Sequence, residues 1–186
     1  MTTKRFTTQN DLLLANMSSF YKNGHLDTML EIINGNSKIS LRIVDWFVTN
    51  FAKKNFTIYC LTKDNYTRRF KVYEDYKLKL KAYSKRRFDP FCRWDRIAFP
   101  YKDSYIQTTL GQLNFFKWAI ENDIVEYIVK NYQDIEKDMN NRNSSSKKKD
   151  KEKDIDNKTR KKREELSISA SKSIKKEDVK ITVKFN

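Results

Sequence analysis

Apolar residues recur at three- and four-residue spacing through most of the first 140 positions, the period of a helix with one buried face. Leu12, Leu13, Met17 and Phe20 form one such set, and Asp11 stands where the cap of a helix over 11–21 belongs. Leu26, Met29, Leu30 and Ile33 form a second over 25–33, bounded by Asn23-Gly24 and Asn34-Gly35-Asn36. Ser37 or Ser40 can cap a third over 41–54, where Ile43, Val44, Phe47, Val48 and Phe51 make a broad apolar face. Thr108 or Thr109 can cap a fourth over 110–121, with Leu113, Phe116, Ala119 and Ile120 inward. Asn122-Asp123 breaks it before a fifth over 124–131, and Ile135 and Met139 carry a last turn or two.

Between these helices the pattern changes. Residues 56–62, FTIYCLT, are rich in β-branched and aromatic side chains and predict a strand. Residues 68–82 carry two overlapping patterns. Lys77 to Ala82 alternate like a strand, whereas Val72, Tyr73, Tyr76, Leu80 and Tyr83 fit one helical face across three turns, so helix is expected. Pro90 marks a turn, and Arg96 to Phe99 suit a short strand stopped at Pro100. The expected fold class is α+β, a mostly helical body with a small β component.

After Met139 the composition shifts. The sequence divides into a folded domain over 1–140, a charged disordered linker over 141–165 and a C-terminal β-hairpin or docking strand over 166–186. The linker, rich in Lys, Asp, Glu, Ser and Asn, cannot bury enough apolar surface to offset the entropy of ordering it; a solvated single helix over 147–165 is the alternative. Farther on, Val179, Ile181, Val183 and Phe185 alternate with Lys180, Thr182 and Lys184, and Leu166, Ile168 and Ala170 alternate with serines. That is the period of a half-buried strand. The four apolar residues are the candidate partner-docking face, pairing either within the chain or with another protein.

The 186 residues carry a formal charge of +15. Residues 1–140 hold 23 Lys and Arg against 16 Asp and Glu, a net +7. The whole of that excess sits between positions 68 and 96. There Arg68, Arg69, Lys71, Lys77, Lys79, Lys81, Lys85, Arg86, Arg87, Arg93 and Arg96 face only Glu74, Asp75, Asp89 and Asp95. Phe70, Tyr73, Tyr76, Tyr83, Phe88, Phe91 and Trp94 are interleaved. Cations neutralise phosphates and aromatic faces accept bases or guanidinium groups. The eleven cations and Trp94 are therefore the candidate nucleic-acid-binding set, with the basic tail adding non-specific affinity. The competing reading makes the aromatics core and the cations a solvated rim.

No motif supplies catalysis. His25 is the single histidine, which by itself builds neither a triad nor a metal centre. Three glycines leave no phosphate-cradling loop. Asp45, Glu74, Asp75, Asp89, Asp95 and Asp103 could hold Mg²⁺ for a small nuclease, although no spacing demands it. Cys92 lies among arginines that would activate a thiol, with a buried structural thiol the simpler reading. Cys60 and Cys92 form no C-x-x-C pair and suit free thiols in a reducing compartment, with a disulfide between them left open. Neither a secretory leader nor a membrane-length apolar run is evident. Helices 110–121 and 124–131 read as a plain hairpin, since the second carries too few cations for a recognition helix.

The segments SLRIVDWFVTNFAKKN, FKVYEDYKLKLKAYSKRRFDPFCRWDRI, TTLGQLNFFKWAIEN, RKKREELSISASKS and DVKITVKFN resemble an uncharacterised family of nucleocytoplasmic large DNA viruses, of the mimivirus and phycodnavirus kind. The resemblance covers nearly the whole chain. It implies a large-genome virus and a location in the host cytoplasm or the virion, and it carries no activity and no catalytic residue. The function expected is non-enzymatic nucleic-acid binding in packaging, replication or transcription, without cofactor or metal. The alternatives are a virion structural or assembly protein docking on other virion proteins, and a small metal-dependent nuclease.

The alternation at 179–185 yields a direct expectation, because unpaired strands of this kind are sticky and are normally covered. Deleting 178–186 should lower the melting temperature if the strand pairs within the chain, or abolish association if it pairs with a partner. A deletion that changes neither melting nor association would show the alternation to be accidental.

Overall fold

The computed structural model describes residues 8–22, 24–63, 66–92 and 95–153. Its helices are α1 (Gln9–Tyr21), α2 (His25–Asn34), α3 (Leu41–Trp46), α4 (Ala52–Lys54), α5 (Val72–Phe88), α6 (Leu110–Glu121), α7 (Ile124–Lys130) and α8 (Tyr132–Lys153). Two antiparallel hairpins accompany them, β1 (Ile58–Lys63) with β2 (Tyr66–Lys71) and β3 (Arg96–Tyr101) with β4 (Ser104–Thr109). The body is α+β and mostly helical, as its periodicity indicates. The terminal residues 154–186, including Val179, Ile181, Val183 and Phe185, lie outside the described residues.

Local chemistry accounts for most boundaries. Ser40 caps α3 by accepting from the Ile43 amide, and Thr109 caps α6 by accepting from the Gln112 amide. Gly35, at φ 75°, ends α2 in the left-handed region where a side chain would be strained. The stretch expected as one helix over 41–54 is helical throughout, but a π-helical turn at Phe47–Phe51 joins α3 to α4. It seats Phe47 and Val48 fully in the core.

Three expectations need correction. The cap of α1 is Thr8, not Asp11. Thr8 accepts from the Asp11 amide at 3.2 Å while the Asp11 carboxylate accepts from the Thr8 amide at 2.9 Å. This reciprocal box starts the helix earlier than its apolar pattern does. It also leaves Leu12 in solvent, 56% exposed, and Met17 and Tyr21 as the buried face. Residues 68–71 belong to strand β2 rather than to a helix, because Leu61 pairs with Arg68 and Tyr59 with Phe70 across the hairpin. Strand pairing there overrides a helical pattern that holds only from Val72 onward. β3 continues through Pro100 to Tyr101, since Pro100 lies on a two-stranded ribbon with an open edge. Its partner β4, with only Ile106 as a buried large apolar residue, was not expected at all. The composition break at 140/141 falls inside α8, which runs on to Lys153.

The centre of the body is α6. Eight of its 12 residues are buried, including Phe115, Phe116 and Trp118. Tyr21 of α1 donates its hydroxyl to the Leu113 carbonyl at 2.7 Å, and Asn114 donates to the Arg87 carbonyl at 2.8 Å. Gly111 lets α6 touch the end of α5, where a Cβ would lie 2.7 Å from the Asp89 carbonyl oxygen and 3.2 Å from that of Arg86. α5 itself bends at Ser84, whose φ of 65° interrupts the helix and brings Phe88 back into the core.

Gly111→Ala should therefore force backbone apart rather than a flexible side chain, at a cost of about 1–3 kcal/mol. A urea melt measures it, and unchanged stability would contradict the close approach.

Candidate nucleic-acid interface

The sequence places twelve residues in the basic set, and the structure separates them by what already holds them. Arg68, Arg69 and Lys71 stand on β2, Lys77 to Arg87 on α5, and Arg96 opens β3. Arg93 and Trp94 lie outside the described residues.

Three members are committed. Arg68 donates to the Asn122 side-chain oxygen at 2.7 Å and lies over the Phe70 ring. Lys71 pairs with Glu74 at 3.1 Å. Arg87 ties α5 to α1, its guanidinium donating to Gln9 and Asn10, each at 2.8 Å. The side chains of Arg69, Lys77, Lys79, Lys81, Lys85 and Arg96 make no hydrogen bond or ion pair among the described residues. Lys77 and Lys81 share one helical face at four-residue spacing, Lys85 follows just past the bend at Ser84, and all three are exposed, with exposed Leu78 and Ala82 beside them.

The acids that could quench this stripe are engaged elsewhere. Glu74 meets Lys71, and Asp75 accepts from the Trp118 indole at 2.6 Å. Both occupy the first turn of α5, where carboxylates suit the helix dipole, and Lys85, Arg86 and Arg87 occupy the last, where cations do. The dipole accounts for the cations at the C-terminal end but not for Lys77 and Lys81 in the middle.

Among the described residues the aromatics belong mainly to the core. Phe70, Tyr76 and Phe88 are buried, and Tyr73, Tyr83 and Phe91 are packed against the same core. Tyr76 and Phe88 meet Phe115 edge-to-face, and Phe88 meets Trp118 in the same way. Interleaving arises because each cation projects outward from an element whose inner face is aromatic. What remains for a polyanion is charge.

A second set of cations was missed. Lys63 of β1 and Lys117 of α6 converge with Arg68 and Lys79 on a cleft of about 330 Å³ bounded by α1, the β1–β2 hairpin, α5 and α6. These four residues are scattered over more than fifty positions, so no linear spacing announces them.

With this geometry in view, the chain can be set beside known proteins. Residues 1–184 match a family described as Family of unknown function (DUF7197). The chain belongs to that family. It is also 42% identical over 144 residues to the Uncharacterized protein L507 of Acanthamoeba polyphaga mimivirus, a match covering 73% of this chain and 56% of the relative. The chain thus spans little more than half the length of that relative. The viral lineage agrees with the one its word-like segments imply. No solved structure matches the family member described here.

The remaining candidate chemistry is sparse among the described residues. No three of His, Cys, Asp and Glu gather as a metal-holding group, and no helix is long and apolar enough to cross a membrane. Cys60 is exposed, Cys92 half-buried, and both are free thiols. His25 is half-buried and stacks on Phe20 at 4.5 Å.

Among the described residues Asp45 is the carboxyl most strongly displaced. Burial, reinforced by the charge of Asp89, pushes it up from 3.8 to about 7. The folded chain therefore keeps this proton after the unfolded chain has lost it. Its contribution to stability is full below about pH 4 and is lost as pH rises toward 7. Asp45→Asn should remove that slope, at most about 1.4 kcal/mol per pH unit, and gain stability over the parent at pH 8 relative to pH 5. Parallel urea melts at the two pH values would show it, and an unchanged slope would refute the displacement.

Proposed function

We propose that this chain is a non-enzymatic nucleic-acid-binding protein of a large DNA virus, acting on the viral genome in the host cytoplasm or within the virion. The supporting observation is the row Lys77, Lys81 and Lys85, exposed on α5 and unpaired among the described residues while the acids of that helix are engaged elsewhere. Like charges four apart destabilise a helix by a few tenths of a kcal/mol per pair. A phosphate backbone laid along the row relieves that repulsion and releases its own counterions. Arg69 and Arg96 extend the available charge, and 16 Lys and Arg against 8 Asp and Glu in the tail add a diffuse attraction.

This binding is sequence-independent in its chemistry. Ammonium groups meet phosphates as point charges, and base edges need donors and acceptors held in a groove-fitting geometry. Tyr76 and Phe88 are buried and the outer face of α5 presents lysines, so charge dominates there and affinity should fall steeply with salt.

The triple variant Lys77→Glu, Lys81→Glu, Lys85→Glu tests the reading on the intact chain. It should fold normally, weaken duplex binding by more than tenfold and reduce the slope of log K against log salt by about two to three units. Equal affinity and slope in parent and variant would overturn it.

A further inference from the structure

The cleft between α1, the β1–β2 hairpin, α5 and α6 differs from the α5 stripe in kind. Four cations from four elements line it: Lys63, Arg68, Lys79 and Lys117. Two carboxylates, Asp75 and Glu121, oppose them. Trp118 holds Asp75 at 2.6 Å, and Lys117 pairs with Glu121 while lying over the Phe20 ring. A charge excess of two is left inside a recess, where Coulomb interactions are stronger than on open surface.

Lys117 has a carboxylate partner, but Lys63 and Arg68 have only neutral ones. Lys63 donates to the Glu121 backbone carbonyl, and Arg68 donates to the Asn122 side-chain carbonyl at 2.7 Å. Both acceptors are neutral oxygens, where an ionised oxygen would make a bond about twice as strong. Lys79 is half-buried at the cleft wall and meets no acceptor among the described residues. Tyr83, half-buried beside Lys79, offers an aromatic surface in the same wall.

We propose that this cleft binds a phosphomonoester group, carried by a mononucleotide or by the phosphorylated end of a nucleic-acid strand. The charge matches, since a phosphomonoester carries about −1.5 to −2 at neutral pH. The size matches as well, since pockets for small ligands begin near 300 Å³. Lys79, Lys63 and Arg68 are the phosphate donors, and Tyr83 is the wall for the sugar or base. The site goes beyond the α5 stripe and does not use Lys77, Lys81 or Lys85.

Calorimetry on the full chain at physiological salt decides it, with four probes: adenosine 5′-monophosphate, adenosine, and one short oligonucleotide with a 5′-phosphate or a 5′-hydroxyl. The phosphorylated member of at least one pair should bind at least fivefold more tightly than its phosphate-free counterpart. A preference within the nucleosides marks a mononucleotide site, and a preference within the oligonucleotides alone marks strand-end recognition. Lys79→Gln should erase the preference, and Lys79→Arg should retain it. The stripe variant Lys77→Glu, Lys81→Glu, Lys85→Glu should leave it intact even where duplex binding is lost, so the two readings fail separately. No preference in either pair, or a preference that survives Lys79→Gln, would overturn the site.

Discussion

The contact of α6 with the end of α5 is the constraint on which the rest of the body depends. It exists because Gly111 has no Cβ to meet the Asp89 and Arg86 carbonyls. Three residues on, Asn114 satisfies the Arg87 carbonyl, one of the oxygens that the end of a helix leaves unpaired. The same arginine reaches across to Gln9 and Asn10 with its side chain. One short stretch of backbone therefore joins α5, α6 and α1. The bend at Ser84 serves the same join by turning Phe88 under α6.

This arrangement explains how so basic a segment folds. A helix studded with lysines has little reason to form in isolation, since side-chain repulsion acts against it. α5 instead gains its stability from one face. Val72, Tyr76 and Phe88 are buried, the last two against Phe115 and Trp118. Aromatic burial of this extent outweighs a few tenths of a kcal/mol of repulsion per lysine pair. The charges are then carried on a scaffold that does not need them.

How much of this was legible follows from which signals are local. Caps, turn residues and helical faces are, so Gly35 could be read directly, Ser40 and Thr109 as one of two candidates each, and α6 as a helix with Leu113, Phe116 and Ala119 inward, though its periodicity did not show that Phe115 and Trp118 are buried too. The hairpin strand β2 could not, because YTRRFK has one buried anchor, Phe70, and is defined by pairing with β1. β4 is similar, with Ile106 its buried large apolar side chain. The basic set was visible as composition, but its division was not. Nothing in the spacing shows that Arg87 is a structural tie while Lys81 is free. The cleft was less visible still, since Lys63 and Lys117 lie in stretches balanced in charge and meet Lys79 only through the fold.

Two neighbouring surfaces thus use lysine in different physical regimes. On the exposed face of α5 each ammonium is solvated and screened over about 8–10 Å by salt, so it contributes to attraction at a distance and little to fixed geometry. In the cleft, side chains are held by Asn122, the Glu121 carbonyl and the Phe20 ring, and part of their hydration is already gone. Part of the ordering cost of Lys63, Arg68 and Lys117 is therefore met in folding, which would favour the anion proposed for the recess. On the two proposals made for these surfaces, long-range attraction and short-range selection would fall on different faces of one helix. Lys77 and Lys81 lie on the outer face, and Lys79 lies between them in sequence but on the side that turns toward Trp118.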